Sequence, residues 1–165
     1  MSVSRFVHVL FGAAVLSAVL MLAGAGPRAQ SAPGAAAVVA HPDVHESGLS
    51  LAQLRDVLLG DQQHWPGGQR IVVFRPDHGA EWDTVLSKSL RLSAPVYVRR
   101  LSAKRYAGEL AVVPRTIDAP VELRRMVAQT PGAIGILPAG EVDGSVKVIR
   151  IDNLNSADSG YPLVP

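Results

Sequence analysis

The residues best suited to binding chemistry lie in one short turn, at positions 75–79. An apolar, β-branched run at positions 71–74 precedes the turn and predicts a buried strand, and apolar residues at helical spacing follow it. A basic residue at a strand end, directly before a helix, can form half of an anion site. The guanidinium neutralises the ligand, and the first N–H groups of the helix point at it. We therefore predict that Arg75, Asp77, His78 and Gly79 bind a ligand, with Asp77 ordering the loop.

The same residues also have a purely structural interpretation. Arg75 and Asp77 could pair and fix the turn, with Gly79 chosen for its backbone freedom. Glu81 and Asp83 occupy the first turn of the predicted helix, where carboxylates already complement its positive end. A bound anion would meet these charges at a cost of about 1–4 kcal/mol at surface-like dielectric.

A second candidate site is a metal site at His41, Asp43 and His45. An extended segment would place these three residues on one side, and His78 or Glu81 could complete the ligand set. The spacing matches no specific metal motif, so a solvated loop is the competing interpretation. We predict neither a metal nor a cofactor and keep this set as an alternative.

Composition and motifs indicate a protein that is neither an enzyme nor a nucleic-acid-binding protein. The chain has no cysteine, no Gly-x-Ser-x-Gly motif and no His-Glu-x-x-His motif. The net charge of +2 includes Arg5 and Arg28 near the N-terminus, so the remainder is close to neutral. Nucleic-acid-binding proteins instead carry a clustered basic excess.

One basic run interrupts this balance. It has no acidic residue before Glu109, and it predicts either a solvated face or a docking patch for an acidic partner or anionic lipid. Its members are Arg91, Arg99, Arg100, Lys104 and Arg105.

The N-terminal residues 1–25 have the pattern of a secretory signal peptide. Arg5 precedes an apolar run at positions 9–23, and small residues follow. The alternative is an uncleaved membrane anchor, which would be the chain's only membrane contact. Residues 26–37 are predicted to be a flexible leader. We therefore expect a periplasmic or otherwise extracytoplasmic protein that holds together without disulfides.

The remaining chain predicts one α/β domain at residues 38–152, followed by a loosely ordered tail at 153–165. Apolar runs at 36–40, 71–74, 133–137 and 146–151 predict strands, with a short extended segment at 110–113. Helical patterns alternate with them, beginning at Ser50, after Gly79, near Val96 and after Asp118. This order predicts three layers, in which a mixed, mostly parallel sheet of about five strands is flanked by helices.

Three landmarks give the domain a resemblance to the substrate-binding proteins of phosphate ABC transporters. They are a helix ending at Gly60 and followed by Trp65 and Gly67-Gly68, the strand ending Arg75-Pro76-Asp77, and the segment from Thr130 to Gly135. The resemblance implies one lobe of the periplasmic binding protein-like fold, a phosphate ligand and a transporter partner. The family's phosphate loop reads Arg-Ser-Asp-Gly-Ser-Gly-Thr; Arg75 and Asp77 match it, whereas its Ser and Thr hydroxyl positions carry other residues here.

Together these observations predict an exported, non-catalytic module that resembles a solute-binding protein and binds phosphate or another small oxyanion weakly. Its further partner would be a membrane transporter or another envelope protein. The alternatives are a protein-interaction or accessory module that has lost its ligand and, third, a histidine-based metal-binding protein.

Overall fold

A computed structural model describes residues 35–165 of the chain. The predicted signal peptide and residues 26–34 of the predicted leader lie outside the described residues. The leader was predicted to extend to residue 37, but the first strand already begins at Ala36, and Ala35 is buried. Within the described range, no helix is both long enough and apolar enough to cross a lipid bilayer.

Strands and helices alternate along the described chain as predicted. The strands are β1 (Ala36–Ala40), β2 (Gly48–Leu49), β3 (Val72–Arg75), β4 (Arg115–Thr116), β5 (Ala133–Pro138) and β6 (Lys147–Ile151). The α-helices are α1 (Leu51–Leu59), α2 (Ala80–Val85), α3 (Ala94–Tyr106) and α4 (Pro120–Gln129). A π-helical turn (Leu86–Leu90) continues α2, and a short 3₁₀ turn (Ala139–Glu141) follows β5.

The six strands form one mixed sheet in the order β2-β6-β1-β5-β3-β4. Strand β1 runs antiparallel to its neighbours β5 and β6, whereas the β3–β5, β3–β4 and β2–β6 pairs are parallel. Five strands therefore point one way, so the carboxyl ends of β3, β4 and β5 lie at a common edge of the sheet. This arrangement confirms the predicted mixed, mostly parallel α/β sheet.

Helices cover both faces of the sheet and make the predicted three layers. Helices α1, α2 and α3 share one apolar core with residues such as Val38, Val73 and Ile136 of the sheet. Helix α4 packs on the opposite face, where Leu123 and Val127 meet Phe74 and its neighbours.

Helix α1 follows its sequence signals closely. The Ser50 hydroxyl accepts a hydrogen bond from the Gln53 amide, and the Gln53 side chain accepts one from the Ser50 amide, which completes the capping box. Gly60 ends the helix in the left-handed conformation at φ 71°.

Three local expectations are wrong. Pro95 predicts the end of the helix after the turn, but that helix already ends at Leu90, where Arg91 adopts φ 53°. Pro95 instead lies in the first turn of α3, where its missing N–H costs nothing. Residues 110–113 form no strand; β4 follows at Arg115, and the two-residue edge strand β2 was not predicted.

The C-terminal tail is packed against the body, which contradicts the predicted loose tail. Tyr161 is 2% exposed and Leu163 is fully buried. The Tyr161 hydroxyl donates to the Ala36 carbonyl at 2.9 Å, and the Ala36 amide donates to the Leu163 carbonyl at 2.9 Å. These apolar side chains and bonds to β1 make the tail part of the core.

Candidate functional site

The predicted site lies at the edge of the sheet formed by the carboxyl ends of β3, β4 and β5. The Ile117 amide, just after β4, donates to the Arg75 carbonyl at 2.9 Å. The Asp77 amide donates to Asp118 Oδ1 at 2.9 Å and joins the two loops. The loop that follows β4 thus holds the turn at residues 75–79 in place.

Arg75 does not face the solvent. Its side chain is 8% exposed, and its guanidinium carbon lies 5.2 Å from the Trp82 ring centre and 5.3 Å from that of Tyr97. Nη1 donates to the Pro76 carbonyl at 2.9 Å and to Asp77 Oδ1 at 3.3 Å, whereas the buried Nε has no hydrogen-bond partner among residues 35–165. The expectation that this guanidinium projects outward toward a ligand is wrong, because two aromatic rings enclose it.

The two rings form a fixed aromatic frame around the arginine. Trp82 and Tyr97 meet edge to face, with their centres 5.2 Å apart at 73°. The Tyr97 hydroxyl donates to the Leu58 carbonyl of α1 at 3.0 Å. Burial raises the pKa of Tyr97 to about 12, against an opposing effect of the nearby Arg75 charge. The aromatic frame and the guanidinium of Arg75 therefore belong to the core beneath the turn.

The other three predicted residues lie in the turn above this frame. Asp77 and His78 are exposed, with 62% and 80% of their side chains open to solvent. Gly79 adopts φ 117° and precedes α2, which begins without a side-chain cap. The structure therefore brings Asp77, His78 and Gly79 together at the surface; a ligand-binding role for them stays a prediction.

Carboxylates surround this turn. Glu81 and Asp83 lie in the first turn of α2, and Asp118 Oδ1 lies 3.8 Å from His78 Nδ1. Asp118, directly before the predicted helix, is an N-cap candidate by residue type. Helix α4 is instead preceded by Ala119 without a side-chain cap, and Asp118 accepts a hydrogen bond from the Asp77 amide. A small anion approaching the turn would thus meet several negative charges.

An apolar notch adjoins the turn at the same edge. It is a cavity of about 60 Å³, with room for several water-sized groups. Its rim carries His78, Glu81 and Asp118. Val121 of α4 follows the lining residue Pro120 and is 60% exposed. Its apolar lining comes from Pro76, Ile117, Pro120, Leu123, Ile136, Leu137 and Pro138.

The alternative metal set does not assemble. His41 Nδ1 accepts a hydrogen bond from the Asp43 amide at 3.1 Å and lies 3.7 Å from Asp43 Oδ2, whereas His45 is exposed. Across residues 35–165, no group of three or more His, Asp or Glu side chains is placed to hold a metal ion. The His41–Asp43 contact shapes the loop after β1.

The fold resembles solved phosphate-binding proteins of bacteria. A phosphate ABC transporter substrate-binding protein from Clostridium perfringens, solved with bound phosphate, aligns with 77% of this chain and 50% of its own at a TM-score of 0.58 and 21% identity. PstS from Borrelia burgdorferi aligns with 78% of this chain and 53% of its own, at a TM-score of 0.58 and 14% identity. An ABC-type phosphate transport receptor from Vibrio cholerae aligns with 77% of this chain and 51% of its own, at a TM-score of 0.51 and 18% identity.

No protein-family model matches this chain, and no curated protein sequence matches it significantly. The chain spans about half the length of the solved structures that it resembles, as a single lobe would. The resemblance predicted from the sequence is therefore confirmed for the fold.

Proposed function

We propose that this chain is an exported, non-catalytic, solute-binding-like module in which the turn at residues 77–79 binds phosphate or another small oxyanion weakly. The fold supports the module, because similar structures carry names of phosphate-binding proteins. The uncapped start of α2 supports some anion binding, since Gly79 offers its first N–H groups no side-chain acceptor.

The enclosure of Arg75 between Trp82 and Tyr97 carries the proposal that binding is weak. A guanidinium that is 8% exposed, with Nη1 bonded to Pro76 and Asp77 and Nε buried, has little free donor surface to offer to an oxyanion in solution. Three carboxylates, Glu81, Asp83 and Asp118, lie around the turn, and within residues 75–79 the backbone N–H groups and His78 remain to attract an anion.

This proposal is tested by titrating the chain without its predicted signal peptide (residues 26–165) with inorganic phosphate and with sulfate, while the NMR chemical shifts of its amides are monitored. We expect saturable shifts at residues 77–81 with a Kd for phosphate of about 1–10 mM. A Kd of 1 mM corresponds to a binding free energy of about −4 kcal/mol. A Kd below about 10 μM would refute weak binding, because it would require a strong cationic contact.

Glu81→Gln sharpens the test. It removes one carboxylate beside the uncapped helix start, and we expect phosphate to bind about three- to tenfold more tightly, for a repulsion of about 1 kcal/mol. Glu109→Gln, an exposed change at the other end of the domain, is the matched control and should leave the Kd unchanged.

The second candidate function is an accessory module that binds another envelope protein, such as a transporter subunit, and no oxyanion. The apolar notch beside the turn and the exposed Val121 next to it favour this function, because exposed apolar surface with a polar rim marks protein interaction sites. The absence of any amide shift at about 20 mM phosphate would select this candidate over oxyanion binding.

A further inference from the structure

The C-terminal end of α3 presents an exposed, basic and partly apolar surface. Tyr106 is 93% exposed and Val98 47% exposed on the outer side of the helix. Arg99 and Arg105 lie on the same side, and neither forms an ion pair within the described residues. We call Val98, Arg99, Arg105 and Tyr106 the Tyr106 surface. Arginine and tyrosine are the residue types that contribute most at protein interfaces.

This surface and the apolar notch lie at opposite ends of the domain. Lys104 of α3 pairs with Asp61, just after α1, and Gln63 Nε2 donates to the Glu109 carbonyl at 2.6 Å. The Gln63 carbonyl in turn accepts from the Ile71 amide at 2.9 Å, directly before β3. The Tyr106 surface is therefore near the amino end of β3, whereas the notch is at its carboxyl end.

We propose that the notch of one copy of this chain receives the Tyr106 surface of a second copy. The proposal goes beyond the proposed function, and it does not depend on oxyanion binding. The two surfaces are complementary in two independent respects. The notch has an apolar floor and a rim with Glu81 and Asp118. The Tyr106 surface has an exposed ring flanked by Arg105, which forms no ion pair with any residue from 35 to 165.

The geometry makes the contact head to tail. A copy that inserts its Tyr106 leaves its own notch free, so association adds copies in a row unless the rotation closes a ring. The contact is small, so we expect it to be weak, with a Kd on the order of 100 μM. Because exposed charges form its rim, we expect association to weaken about tenfold or more between 50 and 500 mM salt.

Sedimentation velocity of the exported chain, from about 20 to 400 μM in low salt, tests the proposal. We expect the sedimentation coefficient to rise with concentration. The variants Tyr106→Ala and Glu81→Lys should each remain monomeric, with unchanged circular dichroism because Tyr106 is exposed and Glu81 only half-buried. Ser102→Ala, an exposed change on α3 that alters no charge, is the matched control and should associate like the wild type.

A mixture of the two inactive variants gives the sharpest result. Tyr106→Ala retains an intact notch, and Glu81→Lys retains an intact Tyr106 surface. An equimolar mixture should therefore form dimers that contain one copy of each variant, and nothing larger, because the two remaining surfaces of such a dimer are both inactive. Wild-type chain that stays monomeric up to 400 μM, or a mixture that stays monomeric while the wild type associates, would overturn the proposal. Monomeric chain that sediments with vesicles containing phosphatidylglycerol, but not with phosphatidylcholine vesicles, would assign the basic surface to a membrane instead.

Discussion

Replacement of Arg75 by alanine should destabilise the folded domain by about 2.5–5 kcal/mol. Its guanidinium lies 5.2 and 5.3 Å from two ring centres, and each such contact contributes about 1–2 kcal/mol when it is desolvated. Its hydrogen bonds to Pro76 and Asp77 add about 1.5–3 kcal/mol each. Against this, the substitution removes the desolvation cost of a buried cation whose Nε is unpaired, which offsets about half of the sum.

Urea unfolding of the wild type, Arg75→Ala, Arg75→Met and Arg55→Ala measures these contributions. Methionine retains volume between the rings and removes the charge, so Arg75→Met should cost about 1 kcal/mol or less. Arg55, exposed on α1, is the control; its replacement should change the free energy of unfolding by less than about 0.5 kcal/mol.

The result that would refute this reasoning is an Arg75→Ala variant as stable as the wild type. An arginine that serves only to bind a ligand can be removed from the ligand-free protein at little cost, whereas an arginine enclosed by aromatic rings cannot. Stability therefore separates the two roles without any ligand being present.

Two further predictions concern the core. Burial raises the pKa of Tyr97 to about 12, so its neutral form stabilises the fold fully below pH 10, and we expect Tyr97 to contribute a loss of about 2–3 kcal/mol as pH rises from 10 to 12. Tyr97→Phe should flatten this loss in urea unfolding at each pH, whereas Tyr106→Phe should not. Gly135→Ala would place a Cβ 2.6 Å from a Val127 methyl and should cost about 1–3 kcal/mol in thermal or urea unfolding, with Gly140→Ala, which has open space, as its control.

The sequence predicted most of the central elements, because their signals are local. Apolar runs indicated β1, β3, β5 and β6, and Ser50 and Gly60 indicated the two ends of α1. Strand β4 has no such signal; Arg115 and Thr116 are exposed and count as a strand only because β3 pairs with them.

The orientation of Arg75 could not be predicted in the same way. The sequence places it correctly at a strand end, at the edge of the sheet where binding residues are expected. Its direction is decided by Trp82 and by Tyr97, 22 positions away, and by the Leu58 carbonyl that fixes the tyrosine. These contacts exist only once α1, α2 and α3 have packed together. Similarly, the role of Asp118 depends on the β3–β4 pairing that brings it to the Asp77 amide.

The position of β1 has a consequence for the order in which the domain can be completed. This strand is the first to be synthesised among the described residues, yet both of its neighbours, β5 and β6, belong to the last quarter of the chain. Even its first amide waits for the Leu163 carbonyl. Contacts between residues so distant in sequence form slowly. A nascent chain therefore cannot close its sheet until β5, β6 and Leu163 have emerged, so it stays without a complete core during most of its synthesis.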